Sequence, residues 1–298
     1  MSKEAKPFLK WAGGKGQLLS QLSEHLPERI NNEPFTYIEP FVGGGAMLFF
    51  MLQRYSNIRK AVINDVNENL ILTYRTIKDN VEPLISMLDK LEKAYLAITK
   101  QEDRSELYYE IREQYNQHAG DDIDRVAQLI FLNKTCFNGL YRVNKRGLFN
   151  VPFGKYVNPT ICNAEVLKAD SQLLQSAKVE ICQGDYAQTI EHVDGLTFVY
   201  LDPPYRPLDA TSSFTAYAQG DFNDDDQQAL AAFCHQLSER ECLWMESNAD
   251  CSAKNPEDTF FEELYADYRI ERVYASRFIN ANPEKRGKLT ELLIKNYE

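Results

Sequence analysis

Apolar and polar positions along the chain follow two alternating rhythms. Short runs rich in β-branched and aromatic residues have the length of buried strands: "TYIE", "KAVIND" (60–65), "KVEICQGD", "LTFVYLD", "CLWMES", "YRIERVYAS" and "LTELLIKNY". Between them lie stretches with apolar residues three and four apart. "EPLISMLDKLEKAYLAI" and "IDRVAQLIFL" are two of these, and the helical pattern runs from about Glu68 to Leu132. "NDDDQQALAAFCHQLSER" predicts a helix whose acidic start suits its N-terminal dipole. "GLYRVNKRGLFNVPF" breaks both rhythms and predicts a hairpin turning at Asn144-Lys145-Arg146-Gly147. Strands and helices alternate at both ends of the chain, and a helical block with a hairpin interrupts the middle. The order predicts a doubly wound α/β domain from 1–69 and 170–298, with an inserted domain at 70–169 carrying the hairpin at 136–156.

No apolar run among the 298 residues approaches membrane-spanning length, and "MSKEAKPFLKW" lacks the apolar core of a secretory signal, so a soluble protein is expected. The six cysteines form no C-x-x-C pair, which reads as reduced thiols in a cytoplasmic protein. With four scattered histidines, no protein-bound metal is expected. The net charge of −11 argues against a nucleic-acid partner until its distribution is examined. Arg125 to Ala164 holds six basic residues (Arg125, Lys134, Arg142, Lys145, Arg146, Lys155) and no acidic one, leaving −17 elsewhere. A second basic cluster, Lys285-Arg286-Gly287-Lys288, lies near the C-terminus. An acidic body with one basic face can track a phosphate backbone, although a solvated basic loop would give the same charge pattern.

Two junctions carry candidate chemistry. In "IEPFVGGGAM", Gly43-Gly44-Gly45 joins a strand to a helix, where a ligand can approach the backbone. Asp65 ends the next strand, twenty residues after Gly45, where a carboxylate can accept both hydroxyls of a ribose. "WAGGKGQLL" is not a P-loop, because Leu9 replaces the first glycine and Gly16 the magnesium-binding hydroxyl residue. The second junction is "FVYLDPPYRPL", a strand ending in Asp202-Pro203-Pro204-Tyr205. An exocyclic amine on a flat base is a poor nucleophile, since its lone pair is delocalised into the ring. Two acceptors would orient it: the Asp202 carboxylate and the Pro203 carbonyl, in a turn stiffened by Pro204. Tyr205 can stack on the base.

"FLKWAGGK", "EPFVGGGA", "NGLYRVNKRGLFNVPFGKY" and "DPPYRPLDATSSFTAY", in this order, resemble the Dam-type (α group) DNA adenine-N6 methyltransferases, nearly end to end. The resemblance implies a Rossmann-like methyltransferase sheet with an inserted DNA-recognition domain. It also implies S-adenosylmethionine as cofactor, double-stranded DNA as partner, GATC as target and base flipping. Cofactor positions would be Trp11, Lys15, Glu39, Phe41, Gly43, Asp65, Asp185, Tyr186 and Asp202, and the catalytic tetrad Asp202, Pro203, Pro204 and Tyr205. On the DNA side, Lys10 and Arg142 match guanine readers, Leu140 and Pro152 contacts to thymine methyls. Asn138, Asn144 and Lys155 complete the hairpin face, and Lys134 stands where some relatives have a phosphate-contacting arginine.

A dinucleotide oxidoreductase would explain Gly43-Gly44-Gly45 and Asp65 but leave the tetrad and the basic hairpin idle. A non-catalytic DNA-binding protein would leave the cofactor junction unused. A cytosine-C5 methyltransferase would need a cysteine after proline, and none of the six follows one. A different target sequence, a restriction-modification or orphan role, and the oligomeric state (a monomer is plausible) stay open in the sequence.

Overall fold

The structure, a computed structural model, describes residues 4–206, 222–275 and 289–298. The part of "DPPYRPLDATSSFTAY" from Pro207 onward and the cluster Lys285-Arg286-Gly287-Lys288 lie outside the described residues. The strands are β1 (Phe35–Glu39), β2 (Ile58–Asp65), β3 (Glu180–Gln183), β4 (Thr197–Leu201), β5 (Leu243–Ala249), β6 (Arg269–Ala275) and β7 (Leu289–Lys295). Contacts group the chain into two compact units. One takes the residues up to Gly14, Gly43–Gln53 and Asn67–Gln183; the other takes Lys15–Val42, Arg54–Val66 and Gly184–Glu298. The stretch 70–169 lies wholly in the first.

In the second unit the strand order is β2-β1-β4-β5-β7-β6. β2, β1, β4 and β5 run parallel, whereas β7 is antiparallel to both β5 and β6. Every residue of β1 and of β4 is buried, as expected of central parallel strands covered on both faces. From β1 the chain steps outward to β2 on one side; β4 returns to β1's other side and β5 continues away. The order therefore reverses between β1 and β4, and ligands of open α/β sheets bind outside the carboxyl ends at such a reversal. The expected helix forms over Asp224–Glu239. Asn223 accepts from the N–H groups of Asp225 and Asp226, and Asp226 accepts from that of Asn223.

The first unit is helical, with Glu68–Asp79, Val81–Ala97, Gln101–Asn116, Asp122–Thr135 and Ala164–Ser176 as its main elements. Gly43 and Gly45 adopt φ of 47° and 75°, and a Cβ on Gly45 would collide with the Tyr74 hydroxyl. That hydroxyl donates to the Gly43 carbonyl at 2.9 Å, and Phe8 packs edge-on against Tyr74. The glycine turn is thus fixed by close packing as well as by backbone freedom.

The hairpin has the expected turn but almost no ladder. Asn144 N–H donates to the Leu148 carbonyl and Gly147 N–H to the Asn144 carbonyl, both at 2.9 Å, with Gly147 at φ 77°. Two isolated bridges join the arms, Cys136 to Phe153 and Val143 to Phe149, with backbone bonds from Asn150 N–H to the Arg142 carbonyl and from Phe137 N–H to the Pro152 carbonyl. Helix side chains satisfy several further backbone groups. Tyr108 Oη donates to the Val151 carbonyl, Asn116 bonds both the N–H and the carbonyl of Phe149, and Arg104 donates to the Val157 carbonyl.

Buried Asn133 ties this segment to the N-terminal stretch. Its Oδ1 accepts from Lys10 N–H, and its Nδ2 donates to the carbonyls of Lys10 and Gly139, each at 2.9 Å. Asn133→Ala strands buried backbone groups, and a loss of about 1–3 kcal/mol in unfolding free energy is expected, measurable by urea titration.

Candidate active site

Asp202 directly follows β4, at the reversal, and its Oδ1 lies 2.9 Å from Lys15 Nζ. Lys15, in the short turn Lys15–Gln17, is only 4% exposed, so its ammonium depends on protein partners rather than water. Nζ also lies 3.5 Å from Glu291 Oε2, donates to Tyr205 Oη at 2.5 Å, and sits 4.4 Å from the centre of that ring. Tyr205 Oη in turn donates to Glu291 Oε2 at 2.7 Å. Burial works against charge on Lys15, but Asp202 and Glu291 outweigh it and hold the amine above its ordinary value. Burial also pushes the Asp202 carboxyl up, to about 6; Lys15 opposes that rise and Glu291 adds to it. Methyl transfer to an amine gives no reason for a tuned carboxyl here. The shift follows from placing the group at a buried strand end.

Glu39, at the end of β1, is fully buried, and Tyr37 Oη donates to its Oε2 at 2.7 Å. Burial drives its carboxyl well up, against the tyrosine bond and with help from Asp202's charge. Phe41 lies 5.0 Å ring to ring from Tyr186 and 6.3 Å from Phe222. Asp65 ends β2, and its carbonyl accepts from Gly184 N–H. Asp185 caps the following turn through Ala187 N–H at 2.8 Å. In the first unit, a Cβ on Gly43 would lie 3.2 Å from Trp11 Cδ1, and the Trp11 ring stacks on Tyr141 of the hairpin arm at 5.0 Å.

The expected DNA-facing residues of the first unit are exposed or half-buried. Lys10, Asn138, Asn144, Pro152 and Lys155 are exposed, while Lys134, Leu140 and Arg142 are intermediate. Asn138 and Lys155 have positive φ, 57° and 59°. Asn144 Oδ1 is engaged by the turn itself, accepting from Arg146 and Leu148 N–H. The Pro152 carbonyl accepts from Phe137 N–H. Arg142 Nε donates to Asn150 Oδ1 at 2.7 Å and Nη2 to the Asn150 carbonyl at 3.3 Å, leaving the outer edge of the guanidinium for another acceptor. Lys10 Nζ lies 5.3 Å from the Tyr156 ring centre. Burial, and then the charges of Lys10 and Lys6, lower the Lys134 amine to about 8.

Sequence reasoning missed Glu291, Gln227, Glu246 and Asn248. Glu291 reaches the site because β7 runs antiparallel beside β5, pairing Glu291 with Ala249. The local signal was an acidic residue in an otherwise apolar strand. For the buried polar residues Glu246 and Asn248 it was "MESNA", too polar for an ordinary core strand.

An α/β sheet of this order, with Asp-Pro-Pro-Tyr leaving the reversal point, is the architecture of an amino-methyltransferase. The family model for D12 class N6 adenine-specific DNA methyltransferases matches residues 11–279. The chain is 49% identical to Type II methyltransferase M.MjaIII of Methanocaldococcus jannaschii, covering 99% of this chain and all of that protein. It is 37% identical to Type II methyltransferase M1.LlaDCHI of Lactococcus lactis, over 98% of this chain and 95% of that one. DNA adenine methylase of Escherichia coli K12 is 33% identical, over 98% and 95%. The chain belongs to the D12 class N6 adenine-specific DNA methyltransferases. That membership sets aside the dinucleotide oxidoreductase reading.

The pH profile of kcat/KM should show an acid limb near 6, as the Asp202 carboxylate takes up a proton and loses acceptor capacity. Lys15 is what restrains the rise caused by burial, so Lys15→Gln should move the limb to higher pH. A limb that stays in place would separate Lys15 from control of Asp202.

Proposed function

We propose that the enzyme transfers a methyl group from S-adenosylmethionine to adenine N6 in double-stranded DNA at GATC, with Asp202-Pro203-Pro204-Tyr205 holding the amine. The observation that carries this reading is the carboxylate at the sheet reversal: Asp202, oriented by Lys15 at 2.9 Å and followed by a rigid Pro-Pro turn. The Asp202 carboxylate and the Pro203 carbonyl are two acceptors for the two amine N–H groups. Tyr205 supplies an aromatic face for the base, which must leave the duplex at a cost of a few kcal/mol.

The donor set suits a cationic cofactor. Asp202 and Glu291 are carboxylates against one buried ammonium, Lys15, while burial favours the neutral form of Glu39. Asp65 would take the ribose hydroxyls, Phe41 and Tyr186 the adenine, and Glu39 and Asp185 polar groups of the cofactor; the family resemblance also counts Trp11 and Gly43 as cofactor positions. When bound, S-adenosylmethionine supplies an electrophilic methyl on a sulfonium. Moving that methyl to a neutral amine leaves total charge unchanged, so positioning, able to supply about 7–11 kcal/mol, is what the chain must provide. Asp202 holds the amine by accepting its hydrogen bond, and the methylated nitrogen, now strongly acidic, gives up its proton to water.

The stretch 70–169 acts as the target-recognition domain on this reading. Lys10 and Arg142 read guanines, Leu140 and Pro152 meet thymine methyls, and Asn138, Asn144, Lys134 and Lys155 line the backbone. All six cysteines are thiols rather than disulfides, as expected of a cytoplasmic enzyme. Relatives named as Type II methyltransferases favour a restriction-modification setting.

Plasmid DNA treated with enzyme and S-adenosylmethionine, then sequenced for modified adenines, should carry N6-methyladenine at GATC. Asp202→Ala should abolish the signal with little change in melting temperature; near-normal turnover would make the tetrad structural. Arg142, braced by Asn150, presents a fork that satisfies guanine O6 and N7 together. Arg142→Ala should therefore erode discrimination between GATC and guanine-altered duplexes by about 1–3 kcal/mol in kcat/KM. An unchanged ratio would leave Arg142 a backbone clamp.

A further inference from the structure

The Pro204 carbonyl is the end point of a buried polar series that begins on β5. Gln227 Nε2 donates to this carbonyl at 3.1 Å, and Gln227 Oε1 accepts from Asn248 Nδ2 at 3.0 Å. Asn248 Nδ2 also donates to Glu246 Oε1 at 2.9 Å, while Asn248 Oδ1 accepts from Ala249 N–H. Glu246 Oε2 accepts from Tyr265 Oη at 2.6 Å and from the Cys234 thiol at 3.7 Å. Gln227, Glu246 and Asn248 are all fully buried. The series has one consistent direction. Both Asn248 amide hydrogens are used by acceptors, so Gln227 must turn its oxygen to Asn248 and its NH2 to Pro204. A buried amide network of this kind holds geometry only while every member is satisfied.

We infer that Gln227, oriented by Asn248, is a positioning residue for methyl transfer: it fixes the peptide plane that aims the Pro203 carbonyl and Tyr205. The Pro204 ring locks its own φ, so once the Pro204 carbonyl is held, little beyond ψ of Pro204 separates that plane from the Pro203 carbonyl. Arg206 anchors the exit of the same turn, its Nε and Nη1 bound by Asp224 (2.7 Å) and Asp258 (2.6 Å). It does not reach the Pro204 carbonyl, which Gln227 alone holds among the described side-chain contacts. The inference rests on the reading that Asp202 and Pro203 accept the amine.

The test measures single-turnover methylation, cofactor affinity, DNA affinity and melting temperature for Gln227→Met and Gln227→Asn. The first keeps the volume and loses the donor. The second keeps an amide but is one methylene too short to span Asn248 and Pro204. Both should lower the single-turnover rate by about 10- to 100-fold, the scale set by small misplacements of reacting groups. Cofactor and DNA affinity should hold within about threefold. Should Gln227→Met fail to fold, Gln227→Asn carries the test. Asn248→Ala combined with Gln227→Met should cost no more in rate than the worse single variant, because the two act in line. Unchanged single-turnover rates, or losses that appear only as weakened binding, would overturn the inference. Asp202→Ala is run alongside. If it too keeps its rate, the amine-holding reading has failed; if it alone is inactive, only the Gln227 assignment has.

Discussion

Placing Lys15 beside Asp202 at the carboxyl end of β4 is the constraint on which the site depends. Either ion alone in that position would carry a heavy desolvation penalty, and their pairing at 2.9 Å offsets it only in part. The residual strain appears in the Asp202 carboxyl, which burial still holds at about 6. A third group completes the balance. Glu291 accepts from Tyr205 and lies within 3.5 Å of Lys15, so ammonium, two carboxylates and phenol form one closed set. The Asp202–Tyr205 turn is thereby bonded to β7 as well as following β4.

The sheet's own periodicity arranges the support behind this set. On β5, Glu246 and Asn248 are two residues apart and share one face, where the helix Asp224–Glu239 supplies Gln227 and Cys234. Ser247 points the other way and bonds Tyr200 of β4 at 2.9 Å. A polar triplet in a core strand therefore braces two neighbouring elements at once. Its burial is tolerable because each polar atom has a partner.

The basic segment solves a different problem. The segment 136–156 buries Tyr141, Phe149, Val151 and Phe153, but its arms share too few backbone bonds to form a stable ribbon alone. Tyr108, Asn116 and Arg104 hold it from the helices behind, and Asn150 holds Arg142. Rigid backing of a half-buried guanidinium lowers the entropy lost in any further contact it makes.

The sequence alone determined what depends on local pattern. The apolar runs at Phe35–Glu39 and Thr197–Leu201, the capped helix at Asp224, the Asn144–Gly147 turn and the concentration of positive charge are all functions of near neighbours. Asp202-Pro203-Pro204-Tyr205 stood out as a strand-end motif for the same reason, since its four residues are consecutive. What only the tertiary structure decided is which distant groups meet it. Nothing near Glu291 in the chain announces that it will reach Tyr205; the antiparallel placement of β7 beside β5 brings it there. The Gln227–Pro204 bond likewise joins a helix to a turn 23 residues earlier. The raised carboxyl of Asp202 is a property of its surroundings rather than its residue type. Spacing along a chain fixes which groups share a face, but desolvation and long-range hydrogen bonds depend on which faces are brought together.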